Sequence, residues 1–283
     1  MALTDISYTE RVRAAHLNLY TLVEADAGGA SRTEVVTPSN PTFNCYSIAK
    51  AYTVLAVGLA YDRGLIAPET RVKDVLGRYF PASYDANWDR VTLHHLMTHG
   101  AGFGRGLLDI DAEDARKWNT KDYLAIVLAT PLPFEPGTHF QYTDASFYVV
   151  SRMLSEVTGK SVLDLLRPVL FDVMNYGEIA WSTCPQGYPM GATGIYLRTE
   201  DMVKLGVLWL RDGDWFGQRV VSREFVRLTE ERGYEFNPMT GDGKWIGKGG
   251  MRGQMLAYNR EKGLAVAWNA YEGKVPFDAI IRE

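Results

Sequence analysis

The order of segments in this chain predicts an α+β fold. One sheet is assembled from both chain ends, a helical lobe is inserted between them, and the cleft where the two meet is the place for a site. Three observations carry this expectation. Apolar and polar residues alternate from Leu17 to Ala25 and again from Thr33 to Thr37. Three further strand-like runs lie near the other end, at 244–249, 253–259 and 263–270. Between them, from about 66 to 185, the signals are mostly helical and are broken by Pro and Gly. The division is a sheet-plus-helix lobe from 1–70 and 186–283, and a helical lobe from 71–185.

Taken in order, residues 8–16 read as a short helix. A strand follows, then the turn Asp26-Ala27-Gly28-Gly29-Ala30-Ser31, then the second strand. The run Val54-Leu55-Ala56-Val57-Gly58-Leu59-Ala60 is apolar all round, which predicts a buried helix ending near Arg63-Gly64. Further helices are expected over Thr120–Ala129, Phe147–Thr158, Val162–Met174, 199–212 and 222–232. Val275–Ile281 reads as a short closing helix. The chain carries no internal repeat and no low-complexity tract.

With 283 residues the chain can bury a large core. Its 46% hydrophobic and 23% charged content is ordinary for a soluble globular protein. A net charge of −4 gives no electrostatic reason to expect nucleic acid or an anionic membrane as partner. The longest apolar runs fall short of the ~20 residues that a membrane span requires. Met1–Arg11 has no basic start leading into an apolar core, so no signal peptide is read there and a cytoplasmic location is expected. Two cysteines, Cys45 and Cys184, are too few for a disulfide framework and suit a reducing compartment. Cys45, two residues before Ser47, reads as a small buried thiol rather than a nucleophile.

The densest chemistry lies in Phe43-Asn44-Cys45-Tyr46-Ser47-Ile48-Ala49-Lys50, at the start of the apolar helix. Positions i and i+3 share a helix face, so Ser47 and Lys50 project into one cavity. A serine hydroxyl needs a base beside it to act as a nucleophile. A lysine is that base if burial lowers its pKa enough to leave it neutral. The helix start adds backbone N–H groups where an oxyanion would form. A four-residue S-x-x-K pattern is a weak signal alone. The competing reading, a solvated lysine one turn after a helix-starting serine, fits an all-apolar helix poorly.

Two more segments follow in order. One is Gln141-Tyr142-Thr143-Asp144, opening a helical stretch, and the other is Gly247-Lys248-Gly249-Gly250-Met251-Arg252-Gly253. With Ser47-x-x-Lys50 they resemble the three motifs of the penicillin-recognising serine hydrolases, namely S-x-x-K, Y-x-N, and K-T-G or H-x-G on a strand. The resemblance is to the subgroup holding class C β-lactamases, serine esterases and D-alanine or D-amino-acid peptidases. Thr92-Leu93-His94-His95-Leu96-Met97-Thr98-His99-Gly100 and the segment from Met190 to Met202 extend it, so that residues from about 40 to 270 follow the pattern. It implies a β-lactamase/transpeptidase-like fold with an antiparallel sheet flanked by helices on both faces. It implies no cofactor and no metal, and a small-molecule ester or amide as partner. Oligomeric state stays open.

By that resemblance Ser47 is the acylated nucleophile and Lys50 its proton acceptor. Tyr142 is a second relay and Lys248 lines the opposite wall. The backbone N–H groups of Ser47 and Met251 form the oxyanion hole. Asp144, Gly249, Gly250 and Arg252 fall at substrate-binding positions. Two departures matter. Asp144 replaces an asparagine, and a carboxylate accepts but cannot donate a hydrogen bond. It would also favour a charged Lys50, either pairing with it or turning toward the helix start. Gly249 removes a hydroxyl that would help hold a substrate carboxylate. Both departures lean toward ester hydrolysis. A D-amino-acid amidase, D-alanine carboxypeptidase or weak β-lactamase is the alternative, and a catalytically silent binding or regulatory protein of the same fold is a third.

The remaining motifs are bland. His95 and His99 stand i, i+4, as in helical metal pairs, without the glutamate or the third ligand such a site needs. His139 reads as structural. Gly247, Gly249, Gly250 and Gly253 lead into another strand and not a helix, so they do not form a phosphate loop.

Overall fold

In a computed structural model, the structure describes residues 7–271 and 273–281. The first six residues, on which part of the N-terminal reading rests, lie outside the described residues. The chain opens with α1 (Tyr8–Ala14), β1 (Leu19–Asp26), β2 (Ser31–Val35) and β3 (Thr42–Asn44). A 3₁₀ turn, Tyr46–Ile48, runs into α2 (Ala49–Tyr61). Then come α3 (Val72–Leu76), α4 (Leu93–Met97), α5 (Tyr123–Leu128), α6 (Asp144–Thr158) and α7 (Val162–Leu166). The chain returns through β4 (Ala180–Trp181), β5 (Ile195–Arg198), α8 (Thr199–Leu210), the hairpin β6 (Asp214–Trp215) and β7 (Gln218–Arg219), and α9 (Arg223–Arg232). It closes with β8 (Asn237–Pro238), β9 (Trp245–Gly250), β10 (Gln254–Asn259), β11 (Leu264–Ala270) and α10 (Phe277–Ile280).

Among the described residues, the main sheet has the order β2-β1-β11-β10-β9-β8, and each neighbouring pair is antiparallel. Both chain ends therefore build it, as the alternating runs predict. Period-two alternation sorts its side chains. Leu22, Val266 and Trp268 face one side, where Tyr8 and Val12 of α1 and Phe277 and Ile280 of α10 cover them. Val23, Ala265 and Ala267 face the other side, against α8 and the main core. Helices thus cover both faces of the antiparallel sheet.

The core of the inserted part is α6, on which α2, α3, α4 and α5 all pack. Thr143 caps its start by accepting from the Ala145 N–H, and Gly159 (φ 68°) ends it in the left-handed conformation. Residues 49–60 of α2 are all buried, as its uniform apolarity requires.

Three differences from the expected elements have physical causes. β3, β4 and β5 form a small separate sheet that was not expected. Strands of two to four residues carry too little alternation to be read. The stretch Val162–Met174 is not one helix, for α7 widens into a π-type turn over Arg167–Phe171. Pro168 contributes no N–H there to an α-ladder. The i, i+4 histidine pair does not exist as such, because α4 ends at Met97 and His99 leaves the helix at φ 55°.

Candidate active site

Ser47 sits in the 3₁₀ turn immediately before α2, and Lys50 in the first turn of α2. Lys50 is fully buried, and its Nζ lies 3.2 Å from Ser47 Oγ. The same Nζ donates to Asp144 Oδ1 at 2.6 Å and to the Ala192 carbonyl at 2.9 Å. An ammonium group has three protons, and here each has an acceptor. Burial works to lower the Lys50 pKa, but the Asp144 carboxylate, with Tyr142 and Glu235 beyond it, outweighs burial and raises it. The amine left neutral by burial, expected from the sequence, is therefore replaced by a buried ion pair. Of its two expected roles Asp144 takes the pairing with Lys50, from its place in the first turn of α6.

Tyr142, on the segment entering α6, faces the two lysines. Its ring centroid is 4.7 Å from Lys50 Nζ and 5.0 Å from Lys248 Nζ, and Lys248 donates to its hydroxyl at 3.4 Å. Ser47, Lys50, Tyr142 and Lys248, read from three motifs, thus meet in one cleft.

β9 brings Lys248 and the glycines against the Ser47 turn. A Cβ at Gly250 would come within 2.4 Å of the Cys45 carbonyl oxygen, so only glycine permits this approach. Gly250→Ala is expected to push β9 off the Ser47 turn at a cost of about 1–3 kcal/mol, which urea denaturation checks. A Cβ at Gly249 meets Gln254 O and Met255 Cε at 3.8 Å, ordinary contact, so position 249 tolerates a side chain. Met251 and Arg252 are exposed at the end of β9, and Arg252 takes φ 59°. Burial raises the Tyr46 pKa, and the Arg252 charge opposes that rise.

Sequence reasoning missed several groups here. Glu235, 3% exposed, is ion-paired through Oε2 to Lys248 and bonded through Oε1 to His99 Nε2 at 2.8 Å. Burial pushes the Glu235 pKa up, but Lys248, His99 and Lys50 together hold it down to about 2. A depressed carboxylate contributes stability that is fully present above its unfolded value near 4.5 and is lost as pH falls toward 2. Urea midpoints measured between pH 5 and pH 2 are expected to fall over that window, and Glu235→Gln removes this component.

Asp109, Asp111 and Asp144 offer carboxylate oxygens within 4.8 Å of one another. Asp111 accepts from Thr193 Oγ1 and from Asn44 Nδ2, and burial raises its pKa. Such a donor set suits a hard cation, but the Lys50 ammonium already occupies the Asp144 corner. His95 spends its Nδ1 on the Thr92 N–H and closes the α4 capping box. His139 stacks on Phe134, with ring centroids 3.9 Å apart. Both cysteines are buried, and burial pushes the Cys45 thiol up to about 12. That leaves Cys45 inert as a nucleophile.

The sequence model of the Beta-lactamase family matches residues 22–278. Esterase EstB of Burkholderia gladioli is 29% identical over 150 residues, which cover 49% of this chain and 36% of that protein. The match therefore spans little more than a third of that relative's length. A family VIII carboxylesterase superposes with a TM-score of 0.75 at 16% identity, over 97% of this chain and 94% of the other. A penicillin binding protein from Bacillus halodurans does so at 0.68 and 17%, over 97% and 98%. Such distant structures establish the fold. No described helix is long and apolar enough to cross a membrane. A family match that runs from the first strand past the last, over the cleft described above, makes this chain a member of the Beta-lactamase family.

Proposed function

We propose that this protein is a serine hydrolase that forms an acyl-enzyme at Ser47 and acts on small, neutral esters. The observation that carries this reading is the Lys50 ammonium, shared between Ser47 Oγ and Asp144 Oδ1. In the proposed sequence Ser47 Oγ attacks the ester carbonyl, and the Tyr142 oxygen takes its proton. Tyr142 accepts that proton as a phenolate, whose negative charge Lys50 and Lys248 beside it stabilise until the proton arrives. The tetrahedral oxyanion receives the N–H groups of Ser47 and Met251. Tyr142 then returns the proton to the leaving alkoxide, and water repeats the cycle on the acyl-enzyme.

Preference for esters follows from what the cleft lacks. Asp144, spent on Lys50, offers no donor to a substrate amide carbonyl. Gly249 offers no hydroxyl to a substrate carboxylate. An unpaired polar group costs about 1–3 kcal/mol. Two such losses amount to about a hundredfold or more in kcat/KM. A neutral short-chain ester needs neither contact. A side-by-side panel is expected to give kcat/KM for p-nitrophenyl butyrate about a hundredfold or more above a chromogenic cephalosporin, a D-amino-acid amide and an acyl-D-Ala-D-Ala peptide. Arg252, exposed at the end of β9, favours a second, peptidase-like reading in which it clamps a carboxylate. Faster turnover of the cephalosporin or peptide, abolished by Arg252→Ala, would establish that reading instead.

A further inference from the structure

Two non-glycine residues in the left-handed conformation meet across the cleft from opposite parts of the chain. His99 (φ 55°) follows α4, and Glu235 (φ 64°) follows α9. Both are at least 95% buried, and both backbones are strained by their β-carbons. His99 Nδ1 accepts the Thr143 backbone N–H at 3.3 Å, which leaves the ring proton on Nε2 to be donated to Glu235 Oε1. The His99 ring lies against the Tyr142 ring, with centroids 4.4 Å apart. The other Glu235 oxygen holds Lys248 on β9. One carboxylate thus ties together the strand, the turn after α4 and the segment that carries Tyr142.

Stability alone does not account for this arrangement. Buried ion pairs are commonly matched or bettered by apolar residues of similar volume, and backbone strain at two of the partners adds to the cost. We infer that Glu235 is a positioning residue, whose carboxylate fixes the Lys248 ammonium and the His99 ring so that Lys248 and the Tyr142 hydroxyl face Ser47. The inference rests on the proposed hydrolase site for its consequence, though not for its geometry. The charged and titratable groups facing Glu235 are Lys248 from β9, His99 from the turn after α4, Lys50 from α2 and, through the His99 ring, Tyr142. Each lysine of the site then has its own carboxylate, Asp144 for Lys50 and Glu235 for Lys248.

The test is Glu235→Gln, which keeps the volume and an acceptor for His99 while removing the charge. For a p-nitrophenyl ester, kcat is expected to fall at least tenfold with little change in KM, and the alkaline limb of the pH profile moves to lower pH. In a Lys248→Met background the same substitution is expected to change kcat by less than twofold, because Glu235 acts through Lys248. A similar loss in both backgrounds, with the alkaline limb unmoved, would show an ordinary structural role and overturn the inference. A second readout does not depend on hydrolysis, namely the crystal structures of the parent and of Glu235→Gln. The Lys248 ammonium and the Tyr142 hydroxyl, held together in the parent, are expected to move apart in the variant. Unchanged positions overturn the inference whether or not the protein hydrolyses esters. Absence of ester turnover and of Ser47 acylation in the parent protein defeats the proposed function alone. Should Glu235→Gln alone not fold, the double variant Glu235→Gln with Lys248→Met, which keeps the His99 acceptor and leaves no orphaned lysine, is compared with Lys248→Met. Activity equal to Lys248→Met alone then supports the inference, and a further tenfold loss overturns it.

Discussion

Ser47→Ala is expected to lower kcat for p-nitrophenyl butyrate by roughly 10⁴-fold or more, because the proposed covalent route is lost while the proposed oxyanion donors remain. The substitution removes one hydroxyl oxygen at a half-buried position, and the Lys50 ammonium keeps Asp144 and the Ala192 carbonyl as acceptors. The fold should therefore survive, with a thermal midpoint close to the parent. A fluorophosphonate probe should add its mass to the Ser47 peptide in the parent protein and not in the variant. Equal labelling of both would place the nucleophile elsewhere and remove the basis of the proposed mechanism.

Lys50→Met is expected to cost both stability and activity, and the two losses should be separable. Asp144 is 8% exposed, and Lys50 is its ion-pair partner. Removing one partner of a buried pair leaves an uncompensated charge, at a cost of about 3–5 kcal/mol. Urea denaturation at pH 7 should show that loss. Adding Asp144→Asn should return most of it, because the orphaned charge is gone. Activity should stay at least a hundredfold down in both variants, since neither restores the cation beside Ser47 and Tyr142. If the double variant recovered activity together with stability, Lys50 would be a structural group and not part of the chemistry. Asp144→Asn alone should leave Lys50 with less negative charge around it, and the amine would then titrate at lower pH than in the parent.

Much of this molecule was legible because its signals are local. Period-two runs marked the strands at both ends, and the uniform apolarity of 54–60 marked α2 as buried. The spacing Ser47-x-x-Lys50 marked two side chains on one face. Tyr142 and Lys248 were readable only by their order after that motif. The small strands β3, β4 and β5 were not readable, because two to four residues become strands only by pairing with one another. Gly250 was noticed as part of a motif, but its reason, the approach to the Cys45 carbonyl, is a contact with a segment about 200 positions away.

The sequence by itself determined the fold class, the nucleophile candidate and the replacement of an amide by Asp144. Only the tertiary structure decided the charge states on which the chemistry depends. Burial argued for a neutral Lys50, and a carboxylate 94 residues along the chain reversed that outcome. Glu235 belongs to no motif, yet it reaches His99 from 136 residues away and ties it to Lys248. Periodicity reports which face of an element is buried. It carries no information about which charge from a distant segment will lie opposite, and in a buried site that opposing charge sets the protonation state.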